Sequence, residues 1–302
     1  MKLTTKDVAV VENPEFRMLN NRVGLFHGTM QDFKRTGIPK AQLILTDIPY
    51  GLGANAYGSN PVWYNGGSNE NGESEFAGES FFTTDENFKP AEMMHFAAQM
   101  LKPEPKEKNG GGRTNSTAPC MIVFCEFAQQ FYLIELAKRY GFKHYINLVF
   151  RKNFSAQVLK ANMKVVGNCE YGLILYRDKL PKFNNNGQMV FNCMDWSRDL
   201  GMEKIHPTQK PIPLLQRLIE LFTDVDDVVI DPFAGSGSTL IAAANLGRKA
   251  YGFEISKRFY VDACNAIKKN IKPDMFAMQE SKYYQRKNKL HNQQELFNNN
   301  EL

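Results

Sequence analysis

The chain has 302 residues, 43% of them hydrophobic and 23% charged, which is ordinary for a globular protein and long enough to bury a sizeable core. It has no run of about 18 apolar residues for a membrane helix, and Met1-Lys2-Leu3-Thr4-Thr5-Lys6-Asp7 lacks the apolar core of an export signal, so a cytoplasmic location is expected. A net charge of +5 suits nucleic acid without arguing for it, and the five cysteines, odd in number and without a Cys-x-x-Cys pair, argue for reduced thiols over a disulfide frame or a metal site.

Residues 1–21 are mixed and polar and predict a loosely packed lead-in. Arg22-Val23-Gly24-Leu25-Phe26-His27-Gly28 is a short strand candidate. Ala41-Gln42-Leu43-Ile44-Leu45-Thr46 is a buried-strand run that ends in Asp47-Ile48-Pro49-Tyr50-Gly51, where Pro49 holds Ile48 extended. Residues 51–88 are dominated by Gly, Asn and Ser, with Trp63, Tyr64, Phe76, Phe81 and Phe82 interspersed. A loop this long inside a compact domain is either functional or without fixed structure. Residues 90–101 predict a helix with Met93, Met94, Ala97 and Leu101 inward. Cys120-Met121-Ile122-Val123-Phe124-Cys125 is another buried strand, 126–140 a helix stopped by Gly141, and 145–150 and 171–176 two more strands. Arg151, Lys152, Lys160 and Lys164 between them read as a basic loop, either solvated or touching phosphates. Residues 177–205, with Lys182, Trp196 and Arg198, read as irregular.

His206-Pro207-Thr208-Gln209-Lys210-Pro211 precedes an amphipathic helix over 214–222. No second histidine sits at ligand spacing, so no metal role is expected for His206. Val228-Val229-Ile230 then runs into Asp231-Pro232-Phe233-Ala234-Gly235-Ser236-Gly237-Ser238-Thr239, and residues 240–246 lead to Gly247. This is strand, tight glycine turn, and a helix stopped by glycine. Such a turn lets backbone N–H groups approach a ligand at a helix N-terminus. Glu254 ends the next apolar run, Ala250-Tyr251-Gly252-Phe253, where an acidic side chain can accept hydrogen bonds from both hydroxyls of a ribose. The unit reads as built for a nucleoside. Gly235 and Gly237 match a dinucleotide fingerprint, but Leu240 takes the place of its third glycine, and the turn has no lysine for a phosphate. Residues 257–269 predict a closing helix with Phe259, Tyr260, Ala263 and Ile267, and 273–302 a disordered polar tail.

The string at 231–239 resembles the S-adenosylmethionine-binding motif of DNA amino-methyltransferases. Asp47-Ile48-Pro49-Tyr50 resembles their Asp-Pro-Pro-Tyr catalytic motif, and the Lys210 segment resembles the one just upstream of their cofactor strand. The motif order resembles the β class, whose two halves are circularly permuted, and the resemblance spans most of residues 22–270. It implies an α/β, circularly permuted Rossmann-like methyltransferase fold: a mostly parallel seven-stranded sheet with helices on both faces, a reversed edge strand from the last hairpin, and Asp47 and Asp231 at adjacent strand ends. The implied organisation is a methyltransferase domain over 1–272, with 51–88 as a mobile loop insert and 177–205 as a target-recognition segment, before the tail.

The same resemblance implies the roles. Asp231, Gly235, Ser236, Gly237, Ser238 and Thr239 would hold the methionine end of the cofactor, with Phe233 nearby, Glu254 on the ribose and Lys210 at the cofactor carboxylate. Gly28 would lie near the adenine of the cofactor, although Thr29 replaces the aspartate usual after that glycine. An exocyclic amino group is a poor nucleophile because its lone pair is delocalised into the ring. The Asp47 carboxylate and the Ile48 carbonyl would accept its two hydrogens and pull the nitrogen toward tetrahedral geometry. Tyr50 would stack on the flipped base. Trp63, Tyr64, Arg151, Lys152, Lys160, Lys164 and Arg198 are the candidate DNA contacts.

The expected activity is methyl transfer from S-adenosylmethionine to adenine N6 in double-stranded DNA, with no metal. The aspartate favours adenine, since serine is more usual for cytosine N4. Methylation of cytosine N4, of RNA or of a protein glutamine, and a catalytically silent DNA-binding role, are the alternatives. The β-class resemblance also implies a homodimer. In the tail, Gln293-Gln294-Glu295-Leu296-Phe297 resembles the Gln-x-x-Leu-Phe peptide by which bacterial proteins dock on the sliding clamp, through Gln293, Leu296 and Phe297.

Overall fold

The computed structural model describes residues 15–49, 88–106, 117–153, 157–160, 165–197, 205–206 and 209–271. In chain order the strands are β1 (Glu15–Met18), β2 (Val23–His27), β3 (Leu43–Asp47), β4 (Cys120–Cys125), β5 (His144–Lys152), β6 (Gln157–Lys160), β7 (Val165–Gly167), β8 (Cys169–Tyr176), β9 (Cys193–Trp196), β10 (Val228–Asp231) and β11 (Lys249–Glu254). The helices are α1 (Phe33–Thr36), α2 (Pro90–Met100), α3 (Phe127–Arg139), α4 (Ile212–Phe222), α5 (Ser238–Asn245) and α6 (Lys257–Asn270). Nine strands form one mixed sheet in the order β1-β2-β11-β10-β3-β4-β8-β5-β9, and β6 pairs with β7 apart from it.

Period-two alternation splits the core into two layers. Leu43 and Leu45 of β3 face α4, α5 and α6, packing in one cluster with Leu218, Ile219, Ile241 and Ile267. Ile44 faces the other side and packs with Met93, Met94 and Phe96 of α2 and Leu133 of α3. On α4, the side chains of Leu214, Leu215, Leu218, Ile219, Leu221 and Phe222 are buried. At about 1.5–3 kcal/mol for each such side chain, this face anchors the segment that carries Lys210. No helix among the described residues is long and apolar enough to cross a membrane.

Helices on both faces and a parallel centre, β2-β11-β10-β3-β4, match the expected α/β class. The strand count and the place of the reversed strand do not. Two strands run antiparallel to their neighbours: β8, inside the sheet between β4 and β5, and β1, at the edge beside β2. The edges are β1, inside the stretch expected as loose lead-in, and β9, inside the stretch expected as irregular. Both are only four residues long and carry no apolar run, so pairing with a neighbour, not local pattern, makes them strands. The expected basic loop between β5 and β8 holds the β6–β7 pair.

The connections decide where a ligand can sit. From β3 the chain moves through α2 to β4 on one side, and from β10 through α5 to β11 on the other. β3 and β10 are neighbours, with Leu43 opposite Val229 and Ile44 opposite Ile230. Their carboxyl ends therefore border the topological switch point, where open α/β sheets bind ligands.

Candidate active site

Two strand ends meet at this switch point. Thr46 Oγ1 donates to Asp231 Oδ1 at 2.7 Å, and the Phe233 N–H donates to the same oxygen at 3.1 Å. Past Asp47, the Ile48 N–H donates to the Phe124 carbonyl at 3.3 Å, continuing the β3–β4 ladder by one residue and burying the Ile48 side chain. Pro49 is held differently. Its carbonyl accepts from Gln129 Nε2 at 2.9 Å, while Gln129 Oε1 accepts from the Glu126 N–H at 2.9 Å in the capping box that starts α3. One amide side chain thus joins the Asp47 turn to a helix start, a role that no local pattern announced.

The glycine turn is wound tightly. The Ala234 N–H donates to the Phe253 carbonyl at 2.8 Å and the Gly237 N–H to the Ala234 carbonyl at 2.7 Å. Gly235 and Gly237 have φ of +49° and +75°, in the left-handed region that favours glycine. A Cβ on Gly235 would stand 3.3 Å from His206 Nε2, and the His206 ring packs edge-on against Phe259 at 4.4 Å. Ser236, Ser238 and Thr239 are buried where α5 begins, and Thr239 hydrogen-bonds Asp231. Phe233 meets Phe88 edge-on at 5.4 Å.

Glu254 closes the other side. Its Oε2 accepts from the Gly235 N–H at 2.9 Å and its Oε1 from the Ser256 N–H at 2.7 Å. The Gly28 N–H donates to the Glu254 carbonyl at 3.0 Å, so the ends of β2 and β11 stay together. Burial pushes the Glu254 carboxyl up to about 7, against the pull of the Ser256 and Gly235 N–H groups. Asp231 is pushed up to about 6 by burial, which outweighs hydrogen bonds from Thr239, Thr46 and Phe233; nearby Asp47 adds to the rise.

Lys210, 5% exposed, lies on the Asp47 side of the crevice. Its ammonium pairs with Asp47 Oδ2, reaches Glu170 Oε2 at 3.4 Å, and stands over the rings of Phe124 and Trp196 at 5.3 and 5.6 Å. Glu170 also pairs with Lys152, whose ammonium lies 4.8 Å from the Trp196 ring centre. Burial lowers the affinity of Lys210 for its proton, but Asp47 and Glu170 more than offset this and raise it above the ordinary lysine value. Burial likewise works against ionised Glu170, and Lys210 and Lys152 reverse the effect, so it is held below the ordinary carboxylate value.

The candidate DNA contacts divide. Arg151 and Lys152 belong to β5, not to a loop. Arg151 is exposed and its guanidinium grips Asp195 Oδ1 at 2.7 and 3.0 Å. Lys152 points inward, drawn by the Glu170 charge and the face of Trp196, which corrects its reading as a loop cation. Lys160 ends β6. Tyr50, Trp63, Tyr64, Lys164, Arg198, Gln293, Leu296 and Phe297 lie outside the described residues.

This geometry has known counterparts. A family model for N6/N4 methyltransferases, described as DNA methylase, matches residues 41–266, from the start of β3 into α6. The chain belongs to the DNA methylase family. Among curated DNA methylases it is 40% identical over 84 residues to the type II methyltransferase M2.MboI of Moraxella bovis, covering 26% of this chain and 30% of that one. It is 46% identical over 62 residues to the type II methyltransferase M.HindIII of Haemophilus influenzae, covering 20% of each chain. The aligned stretches span half or less of the length of the curated relatives. Among solved structures, the M1.HpyAVI–SAM complex superposes with a TM-score of 0.57 at 21% identity, over 81% of this chain and 98% of that one. The cytosine-N4-specific PvuII DNA methyltransferase superposes with a TM-score of 0.54 at 15% identity, over 83% and 94%. These two likenesses show a Rossmann-like methyltransferase fold for this chain.

Proposed function

We propose that this DNA methylase moves a methyl group from S-adenosylmethionine to the N6 amino group of an adenine flipped out of double-stranded DNA. The observation that carries the reading is the placing of the Asp47 carboxylate at the switch point, one strand away from the Asp231 glycine turn.

The residues around the crevice fit the cofactor. The Glu254 oxygens accept from the Gly235 and Ser256 N–H groups and keep acceptor capacity for a ribose hydroxyl. The Gly235–Thr239 turn brings backbone N–H groups to the start of α5, suited to a carboxylate. Phe233 offers an apolar wall, and Gly28 lets the end of β2 approach closely. Bound there, S-adenosylmethionine supplies an electrophilic methyl group on a sulfonium sulfur. Lys210 stands either toward the cofactor carboxylate, as the motif suggests, or as the partner of Asp47, as its contacts favour.

Asp47 and the Ile48 carbonyl accept the two amino hydrogens and free the nitrogen lone pair. The lone pair forms the new N–C bond, the electrons of the broken S–C bond stay on sulfur, and the surplus proton leaves nitrogen along the hydrogen bond to Asp47 and passes to water. Tyr50, Trp63 and Tyr64 are assigned to the flipped base and the opened stack, and Arg151, Lys160, Lys164 and Arg198 to phosphates. Residues 285–302 would carry a sliding-clamp peptide, and the active unit would be a homodimer. A purified clamp that ignores this peptide, or a monomer with full activity, removes those two parts.

Cytosine N4 is the second reading, favoured by the superposition on a cytosine-N4-specific enzyme. The experiment is nucleoside mass spectrometry of unmethylated DNA after incubation with the protein and labelled S-adenosylmethionine. Labelled N6-methyldeoxyadenosine is expected. Labelled N4-methyldeoxycytidine would move the target base, and no label on DNA with cofactor still bound would overturn DNA methylation and leave RNA, a protein glutamine or a silent binding role. Asp47→Ala should bind cofactor but lose about 100-fold or more in methyl transfer.

A further inference from the structure

Four charged side chains stand in an alternating row: Asp47, Lys210, Glu170, Lys152. They come from four places in the chain: the end of β3, the segment before α4, the start of β8 and the end of β5. Topology collects them. Because β8 runs against β4 and β5, its first residues lie at the edge where those two strands end. Glu170 is paired with Phe150 and stands beside the end of β5, while Lys152 is the last residue of that strand. The side chains of Lys210, Lys152 and Glu170 are 6%, 10% and 18% exposed, so solvent screens the row weakly. Phe124 and Trp196 close it with aromatic faces.

Such a row has a cost. Each buried charge loses hydration, and a buried pair is poor evidence for stability as such. A single ammonium against Asp47 would already neutralise it. Glu170 and then Lys152 bring two more charges out of water beyond the one that neutralises Asp47, which is the pattern expected of a group kept for what it does to Asp47.

We propose that Glu170 is a positioning residue for methyl transfer, sharing the Lys210 ammonium with Asp47 so that Asp47 keeps acceptor strength for the target amino group, with Lys152 balancing the charge of Glu170. The inference rests on the role given to Asp47 above. Without Glu170, the whole Lys210 charge falls on Asp47. Asp47 then becomes a weaker hydrogen-bond acceptor and loses its proton at lower pH. Among the described residues, Asp47 is also faced by Asp231 from β10, which acts in the opposite sense, and by Cys125 from the end of β4, a neutral thiol whose pKa burial pushes up to about 12.

The test uses Glu170→Gln and Glu170→Asp in the full chain, with two readouts. One is the single-turnover rate of methyl transfer to unmethylated DNA against pH, with cofactor affinity measured by calorimetry. For Glu170→Gln the plateau rate is expected to fall about 10- to 100-fold and the acid limb to move to lower pH, with cofactor affinity within about twofold; Glu170→Asp restores most of the rate. The second readout is the titration of the Asp47 carboxyl carbon by 13C NMR without cofactor or DNA, expected to move to lower pH in Glu170→Gln. An unmoved titration, or a wild-type plateau rate, overturns the proposal and leaves the methyltransferase reading standing. A moved titration in a protein whose wild type methylates no DNA supports the coupling and overturns the function proposed above.

Discussion

Thr46 and Asp231 are 185 positions apart in the chain, yet the hydroxyl of one donates to the carboxylate of the other at 2.7 Å. This bond joins the strand that carries Asp47 to the strand that carries the glycine turn, at the point where the chain winds away in both directions. Thr46→Val keeps the shape and removes the donor. Loss of a buried hydrogen bond to a charged acceptor should cost about 1.5–3 kcal/mol. The bond favours the ionised form of Asp231, so the loss should be larger at pH 8 than at pH 4. Thermal melts at both values check this.

Gln129 serves two partners, and one substitution separates them. Glutamate at that position can still accept from the Glu126 N–H and keep the capping box, but it has no N–H to give the Pro49 carbonyl. Gln129→Glu should therefore fold with a melting temperature close to wild type. Its turnover should fall about tenfold, because the Asp47 turn is no longer held in place. Steady-state kinetics beside a melting curve decide it, and unchanged turnover would remove the latch.

Gly235 combines a φ of +49° with a neighbour, His206 Nε2, that would stand 3.3 Å from an added Cβ. Gly235→Ala should cost about 1–2 kcal/mol from backbone conformation alone. The shift of the turn should also weaken cofactor binding. Calorimetric titration with S-adenosylmethionine is the check.

Glu254 makes stability depend on pH in a sense that can be worked out. Its folded pKa, about 7, lies above the ordinary 4.5 because burial penalises the charge. Between those values the folded state holds more protons than the unfolded one, so the contribution of Glu254 is most favourable below the ordinary value and is lost as pH rises toward 7. Asp231, with a folded pKa of about 6 against 3.8, adds to the same trend. Glu254→Gln should remove its share, of order 3 kcal/mol, from the fall in stability between about pH 4 and pH 7. Urea unfolding of the cofactor-free protein across that range measures it.

Strands whose apolar run is long enough to declare itself, such as Leu43–Asp47 and Cys120–Cys125, are legible in the sequence, as is α2 with Met93, Met94 and Ala97 turned inward. So is the adjacency of the Asp47 and Asp231 strand ends, through the motif order. β1 and β9 are not, because four residues without an apolar run become strands only when a neighbour supplies the hydrogen bonds. Lys152 was misread for a related reason. A lysine at the end of a predicted strand looks solvated until an acidic neighbour from another strand is placed beside it.

The sequence by itself determined the nucleoside-type turn at Gly235, the candidate acceptor at Asp47 and the permuted order of the two halves. Each is a local string whose residue types answer a local demand: a left-handed backbone, an extended residue before proline, a carboxylate at a strand end. Only the tertiary structure decided what surrounds them. Lys210 meets Asp47 across 163 positions, and Gln129 meets Pro49 across 80. Glu170 joins Lys210 because a reversed strand carries it to that edge of the sheet. Charge–charge and hydrogen-bond partners are set by distance in space, and strand order, which no local pattern encodes, determines those distances.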